Sequence, residues 1–109
     1  MNRNYSRGRR AEYRAMKMLR HQGYIAMRAA GSHGMFDVVA LYSGWCSRPE
    51  HQELPLARFI QIKQGRGMSS RERPRMELQL VPPLCSKELW TFWPGNTQPT
   101  IEEIQWPDG

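Results

Sequence analysis

The chain has 109 residues, 39% of them hydrophobic and 24% charged, with a formal net charge of +6. That length allows one domain with one core, short for an enzyme acting alone, and leaves room for stabilisation by a second copy. No apolar run approaches the roughly 20 residues that cross a bilayer, the basic start Met1–Tyr5 has no apolar segment behind it, and Cys46 and Cys85 fit neither a disulfide scaffold nor a zinc site, so the expected setting is intracellular, in the reducing cytoplasm, without a membrane partner.

Residues 9–22 are good helix formers with no internal proline or glycine, and Gly23 supplies a stop, so the spacing predicts one amphipathic helix. Its apolar stripe carries Glu12, Ala15, Met16 and Leu19, which turns Glu12 inward or toward a cleft edge, while Arg10, Arg14, Lys17 and His21 run down another face. Strands are expected over 24–30 and 35–42, joined as a hairpin through the glycine-bounded turn Ala30-Gly31-Ser32-His33-Gly34. Residues 43–56, with Gly44, Pro49 and Pro55, read as a loop. A third strand follows over 57–64. Ser69 or Ser70 caps a second helix over about 70–81, bounded by Pro82-Pro83. A fourth strand is expected over 88–93, with a short edge strand within 101–106. The predicted class is α/β, a single domain with a central mixed sheet flanked by helices in the order α-β-β-β-α-β.

Charge is unevenly spread. Residues 1–20 hold the whole net +6, residues 58–75 carry +5, and residues 76–109 carry −4. Arginine outnumbers lysine thirteen to three, and the planar guanidinium fork suits phosphate oxygens better than a point ammonium does. A polyanion is the natural partner. Arg7, Arg9, Arg10, Arg28 and Arg66 flank the site proposed next and are the expected phosphate contacts, giving affinity and salt dependence without base specificity. Trp90, Phe92 and Trp93 read as core or subunit contact ahead of base stacking.

Asp37 heads the second strand, and Gln61 and Lys63, two apart on the third, share a face with the Ile62 carbonyl between them. Read alone, Asp37 closes a turn and Lys63 is an edge charge. If the third strand pairs beside the second, these groups converge with Glu12. Two carboxylates, an amide oxygen and a carbonyl form a hard-oxygen set suited to Mg²⁺, with Mn²⁺ as a substitute, so Asp37, Gln61, Ile62 and Glu12 are the expected metal ligands. Such an ion polarises a phosphodiester and acidifies water, and the Lys63 ammonium offsets charge on the phosphorane.

The succession Arg7-Gly8-Arg9-Arg10-Ala11-Glu12, Gly23-Tyr24, Arg28-Ala29-Ala30-Gly31-Ser32, Phe36-Asp37-Val38-Val39-Ala40 and Gln61-Ile62-Lys63 resembles the PD-(D/E)XK nucleases, and within them the archaeal and phage Holliday junction resolvases of the Hjc type. The likeness spans residues 5–66. It implies a restriction-endonuclease-like fold and an Mg²⁺-dependent endonuclease that cuts four-way DNA junctions symmetrically as a homodimer. It also assigns catalytic roles to Glu12, Ser32, Asp37, Gln61 and Lys63. The chain departs from the family pattern twice: Gln61 stands where an acidic residue is usual, removing one charge from the site, and Phe36 stands where the proline would be. Alternative readings are a same-fold nuclease acting on nicked or mismatched DNA, a non-catalytic DNA-binding module, and a basic subunit of an RNA–protein particle.

Overall fold

The computed structural model describes residues 3–29, 35–42 and 56–105, with residues 3–8 described as backbone alone. Helix α1 spans Arg3–His21, followed by β1 (Tyr24–Arg28), β2 (Val38–Tyr42), β3 (Ala57–Gln64), α2 (Glu72–Leu78), β4 (Cys85–Phe92) and β5 (Thr100–Glu103). The strands form one mixed sheet in chain order. β1, β2 and β3 are an antiparallel meander, β3 and β4 run parallel, and β5 returns antiparallel at the edge. The α2 crossover is what a parallel neighbour requires, since no tight turn can connect two parallel strands. No helix among the described residues is long and apolar enough to cross a membrane.

Helix α1 ends as expected at Gly23, whose positive φ of 94° few side chains tolerate. It buries Ala11, Ala15, Met16 and Leu19 against Tyr24, Ala26, Val38, Ala40, Ile60, Trp90 and Phe92. This is the larger core. The rings of Tyr24 and Tyr42, directly opposed across the β1–β2 pair, meet edge to face at 5.6 Å. The opposite face of the sheet carries a smaller cluster, in which Met76 of α2 meets Leu89 and Ile104, with Met35, Phe36 and Met68 packed around them.

Several boundaries differ from the sequence-based expectation. α1 starts at Arg3 rather than at residue 9. β1 stops at Arg28, and β2 starts at Val38 rather than at 35, because Asp37 leaves the ladder to bond β3 differently. β4 starts at Cys85, three residues early, where parallel pairing with β3 holds an unbroken register from Ala57↔Cys85 to Gln64↔Phe92. Tertiary pairing overrides the weak local strand signal there.

α2 is shorter than expected. Its N-cap is Arg71, which makes no side-chain cap bond, rather than Ser69 or Ser70; Ser69 lies two residues earlier, where its Oγ accepts the Glu72 N–H at 3.2 Å and donates to Glu72 Oε1 in the turn that leads into the seven-residue helix. At its other end the buried Lys87 ammonium donates to the carbonyls of Glu77 and Gln79 at 2.7 and 3.0 Å, satisfying groups the helix leaves open. β5 adds an exposed edge strand bearing Glu102 and Glu103, charges that discourage further pairing.

A cluster that sequence patterning did not reveal sits inside the larger core. Arg58 holds Glu88 with two parallel bonds, Nε to Oε2 at 2.8 Å and Nη2 to Oε1 at 2.7 Å. Glu88 also accepts from Ser86 Oγ and from Trp90 Nε1, and Arg58 Nη1 reaches Gln22 Oε1 at 2.9 Å. The guanidinium lies over the rings of Tyr24 and Trp90. Every polar partner in this cluster is matched, which burial of a charge pair demands.

Candidate functional site

β2 pairs with β3 only as far as Val38↔Ile60. Just beyond, the Asp37 N–H donates to the Ile60 carbonyl at 2.8 Å, and Asp37 Oδ2 accepts the Ile62 N–H at 2.8 Å. The side chain therefore takes over a rung that the β2 backbone no longer supplies. Because the N–H and C=O of one strand residue point to the same edge, the Ile62 carbonyl also faces this side of β3.

Glu12, on the third turn of α1 beside the buried Ala11, is inward-turned with its side chain 18% exposed. Its Oε2 accepts Arg28 Nε at 3.1 Å, and the Arg28 guanidinium lies 5.3 Å from the Tyr13 ring centroid. Glu12, Asp37, Ala11, Ile62 and Gln64 line one cleft of about 80 Å³. Burial pushes the Asp37 carboxyl above its ordinary pKa, the Ile62 N–H pulls it back, the Glu12 charge raises it, and Lys63 and Arg28 lower it. The two carboxylates thus repel each other across the cleft, a tension that a cation between them relieves.

The cleft includes two of the four expected catalytic side chains on the described residues. Ile60 and Ile62 face α1, so Gln61 and Lys63 face α2 by the two-residue alternation. The register agrees: Gln61 lies opposite Leu89 of the smaller cluster, and Lys63 is ion-paired with Glu72 of α2. Gln61 does not join the cleft. Gln64, which the sequence reading missed, brings an amide to it instead, and counting in twos from Ile60 and Ile62 would have found it. Lys63 stays close enough for its charge to act on Asp37.

Ser32 lies outside the described residues, and the Arg7 side chain lies outside the described side chains. Of the expected phosphate contacts, Arg9 and Arg10 are exposed on α1, and Arg28 is engaged with Glu12. Arg66 lines a second, much larger groove of about 820 Å³ at the carboxyl ends of β3 and β4, which Arg14, Lys63, Phe92 and Trp93 also line. Among the described residues no carboxylate lines this groove. Ile62 and Gln64 belong to both clefts, so the two adjoin.

The donor set fits a hard divalent cation. The bonds formed by Glu12 and Asp37 use Oε2 and Oδ2, leaving a second oxygen on each, and the Ile62 carbonyl and the Gln64 amide add uncharged oxygens. Among the described residues no three His, Cys, Asp or Glu side chains come together as a metal cluster, so any ion here depends on these uncharged oxygens and on water or substrate. In comparisons with protein-family models, with curated proteins and with solved structures, nothing matched the chain.

Proposed function

We propose that the chain is a metal-dependent endonuclease of restriction-endonuclease-like fold that hydrolyses DNA phosphodiesters, acting on four-way junctions as a homodimer. The observation that carries this reading is the pair of carboxylates, Glu12 and Asp37, sharing a small cleft that opens onto a cationic groove. The α-β-β-β-α-β succession from α1 to β4, extended by the edge strand β5, with α1 and α2 on opposite faces of a mixed sheet, supports it. The half-exposed apolar Ile25, Met27 and Leu41 on the α2 side of β1 and β2 give a second copy a patch to cover.

Glu12, Asp37, the Ile62 carbonyl and Gln64 are the groups that would hold Mg²⁺, which supplies Lewis acidity toward the phosphodiester and its attacking water. The protein's own contribution is positional. The Ile62 N–H fixes one Asp37 oxygen, Arg28 fixes one Glu12 oxygen, and Lys63 lends positive charge at the flank, where charge accumulates on the phosphate.

A specific observation favours the rival reading of a non-catalytic DNA-binding module: Gln61 faces away from the cleft, and Lys63 is held by Glu72. One competition experiment separates the two. A labelled four-way junction and a linear duplex are offered together in Mg²⁺ and in Mn²⁺, to wild type and to Asp37→Ala. The nuclease reading expects symmetric junction cleavage that Asp37→Ala abolishes while junction binding persists. Binding without cleavage in either ion leaves the binding module, and equal cutting of the duplex removes junction preference.

A further inference from the structure

We infer that the groove at the carboxyl ends of β3 and β4 binds an unpaired nucleic-acid strand, with a base stacked on Trp93 and the backbone phosphates on Arg66, Arg14 and Lys63. The inference deepens the nuclease reading by naming the strand that reaches the adjoining cleft, and it rests on that reading only for what the strand is there to do. Binding itself requires no chemistry.

Three features define the ligand. The groove is cationic on its walls and, among the described residues, free of carboxylates, with Glu72 outside the lining and paired to Lys63. It is also aromatic. Trp93 is 38% exposed, and its indole N–H is fixed by Thr100 Oγ1 at 3.0 Å, so the ring is already oriented before any ligand arrives. Behind it the buried Phe92 ring is covered by the Arg14 guanidinium at 4.8 Å, while Arg14 Nη2 is anchored on the Thr97 carbonyl at 2.7 Å. Lastly, the wall is open. A Cβ built on Gly65 or on Gly95 would meet nothing within 4 Å, so these two positions let a ligand backbone come close.

The combination selects an unpaired strand over a duplex. In a duplex the base faces are stacked on one another and offer an indole nothing to stack against, whereas a single strand presents a π-face at every nucleotide. A concave volume of about 820 Å³ lies within the usual range for clefts that enclose small ligands and suits one or a few nucleotides. The position follows the general tendency of ligands to bind beyond the carboxyl ends of parallel strands.

The test measures binding in EDTA by fluorescence anisotropy, using the full chain. The probes are a labelled oligodeoxyuridine, an oligouridine of the same length and a loop-free two-strand DNA duplex with as many nucleotides. Wild type is expected to prefer either single strand over the duplex, and the better of the two identifies the sugar. Trp93→Leu should weaken single-strand binding by roughly 5- to 150-fold, the range of one lost base–aromatic stack, with Trp93→Phe retaining most of it and duplex affinity moving less than about twofold. Arg66→Ser should lower the slope of log affinity against log salt by about 0.7 for the single strand, a readout that stands if Trp93→Leu fails to fold. A duplex bound as tightly as the single strands, or a single-strand affinity indifferent to both Trp93 and Arg66, overturns the proposal. Cleavage of the same strands and of the junction is read separately in Mg²⁺ and Mn²⁺, so a chain that binds unpaired strands in EDTA and cuts nothing in either ion refutes the nuclease reading alone.

Discussion

The Asp37 carboxylate accepts the Ile62 N–H at 2.8 Å, one rung past the point where β2 stops pairing with β3. A single side chain thereby closes the edge of β3 and stands in the candidate cleft. Structure and chemistry can be separated by two substitutions. Asp37→Ala leaves the Ile62 N–H without its acceptor and should cost about 1–3 kcal/mol of unfolding free energy. Asp37→Asn keeps an acceptor oxygen in place and should fold at least as well as wild type, yet lose divalent-dependent cleavage as fully as Asp37→Ala. Urea denaturation alongside the junction assay checks both, and an Asp37→Asn variant that still cleaves removes the carboxylate from the chemistry.

The raised pKa of Asp37 sets a pH signature for the same pair of proteins. Burial is its main cause, so the folded state holds the Asp37 proton more tightly than the unfolded chain, whose carboxyl titrates near 3.8. Between that value and the raised folded pKa, the native state binds more protons, and the contribution of Asp37 to stability falls as pH rises. Above the folded pKa the penalty is complete. Asp37→Asn lacks it, so its stability advantage over wild type should be greatest at neutral pH and shrink toward zero as the pH drops below the ordinary carboxylate range. Paired denaturation curves at pH 7.5 and 3.5 measure this. An advantage that grows on acidification contradicts the assignment.

Where the sequence was informative, one physical signal dominated. The α1 stripe was legible because Ala15, Met16 and Leu19 recur at helical spacing, and β3 was legible at both ends because Ala57–Gln64 combines strand formers with a bounding glycine. Convergence of Glu12 with Asp37 followed from an inward helix position and an antiparallel β2–β3 pair. The other half of the site did not follow. Gln61 and Lys63 do share a face, but which face depends on whether α1 packs on the odd or the even residues of β3, and a two-residue period is silent on that choice. Ile60 and Ile62 decide it by joining the α1 core. The Arg58–Glu88 pair was hidden for a different reason: charged residues on a strand read as exposed, and only the parallel β3–β4 register brings these two together.

Leu84, immediately before β4, has a φ of 66°, in the left-handed region that favours glycine, and the residue is 76% exposed. Its carbonyl accepts the Leu56 N–H at 2.9 Å, so the backbone there is tied to the start of β3. The strained conformation costs about 1 kcal/mol or more for a leucine and little for glycine. Glycine also loses more entropy on folding, which offsets part of the gain. Leu84→Gly should therefore be neutral to stabilising by up to about 1 kcal/mol in urea, whereas Leu84→Val, β-branched and worse suited to positive φ, should destabilise. A loss of stability in the glycine variant comparable to that in the valine variant refutes the strain.

Glu88 accepts from Arg58, Ser86 and Trp90 in the larger core. Burial pushes its pKa up, but these hydrogen bonds and the Arg58 charge outweigh burial and leave it lowered. The stabilisation is therefore present above the unfolded carboxylate value of 4.5 and is lost as pH falls through the depressed folded value. Removing one partner of such a pair strands the other charge in a low-dielectric site, so Glu88→Ala should cost about 3–5 kcal/mol at neutral pH, far more than the sum of its packing contacts. Adding Arg58→Met to Glu88→Ala removes the stranded guanidinium and should recover a large part of that loss. Recovery stays incomplete because the Trp90 N–H still lacks its acceptor. A double-mutant cycle by urea denaturation at pH 7.5 reads the coupling directly. Additive single-mutant losses would show that the two side chains contribute independently and refute the coupling predicted from the two parallel bonds at 2.8 and 2.7 Å.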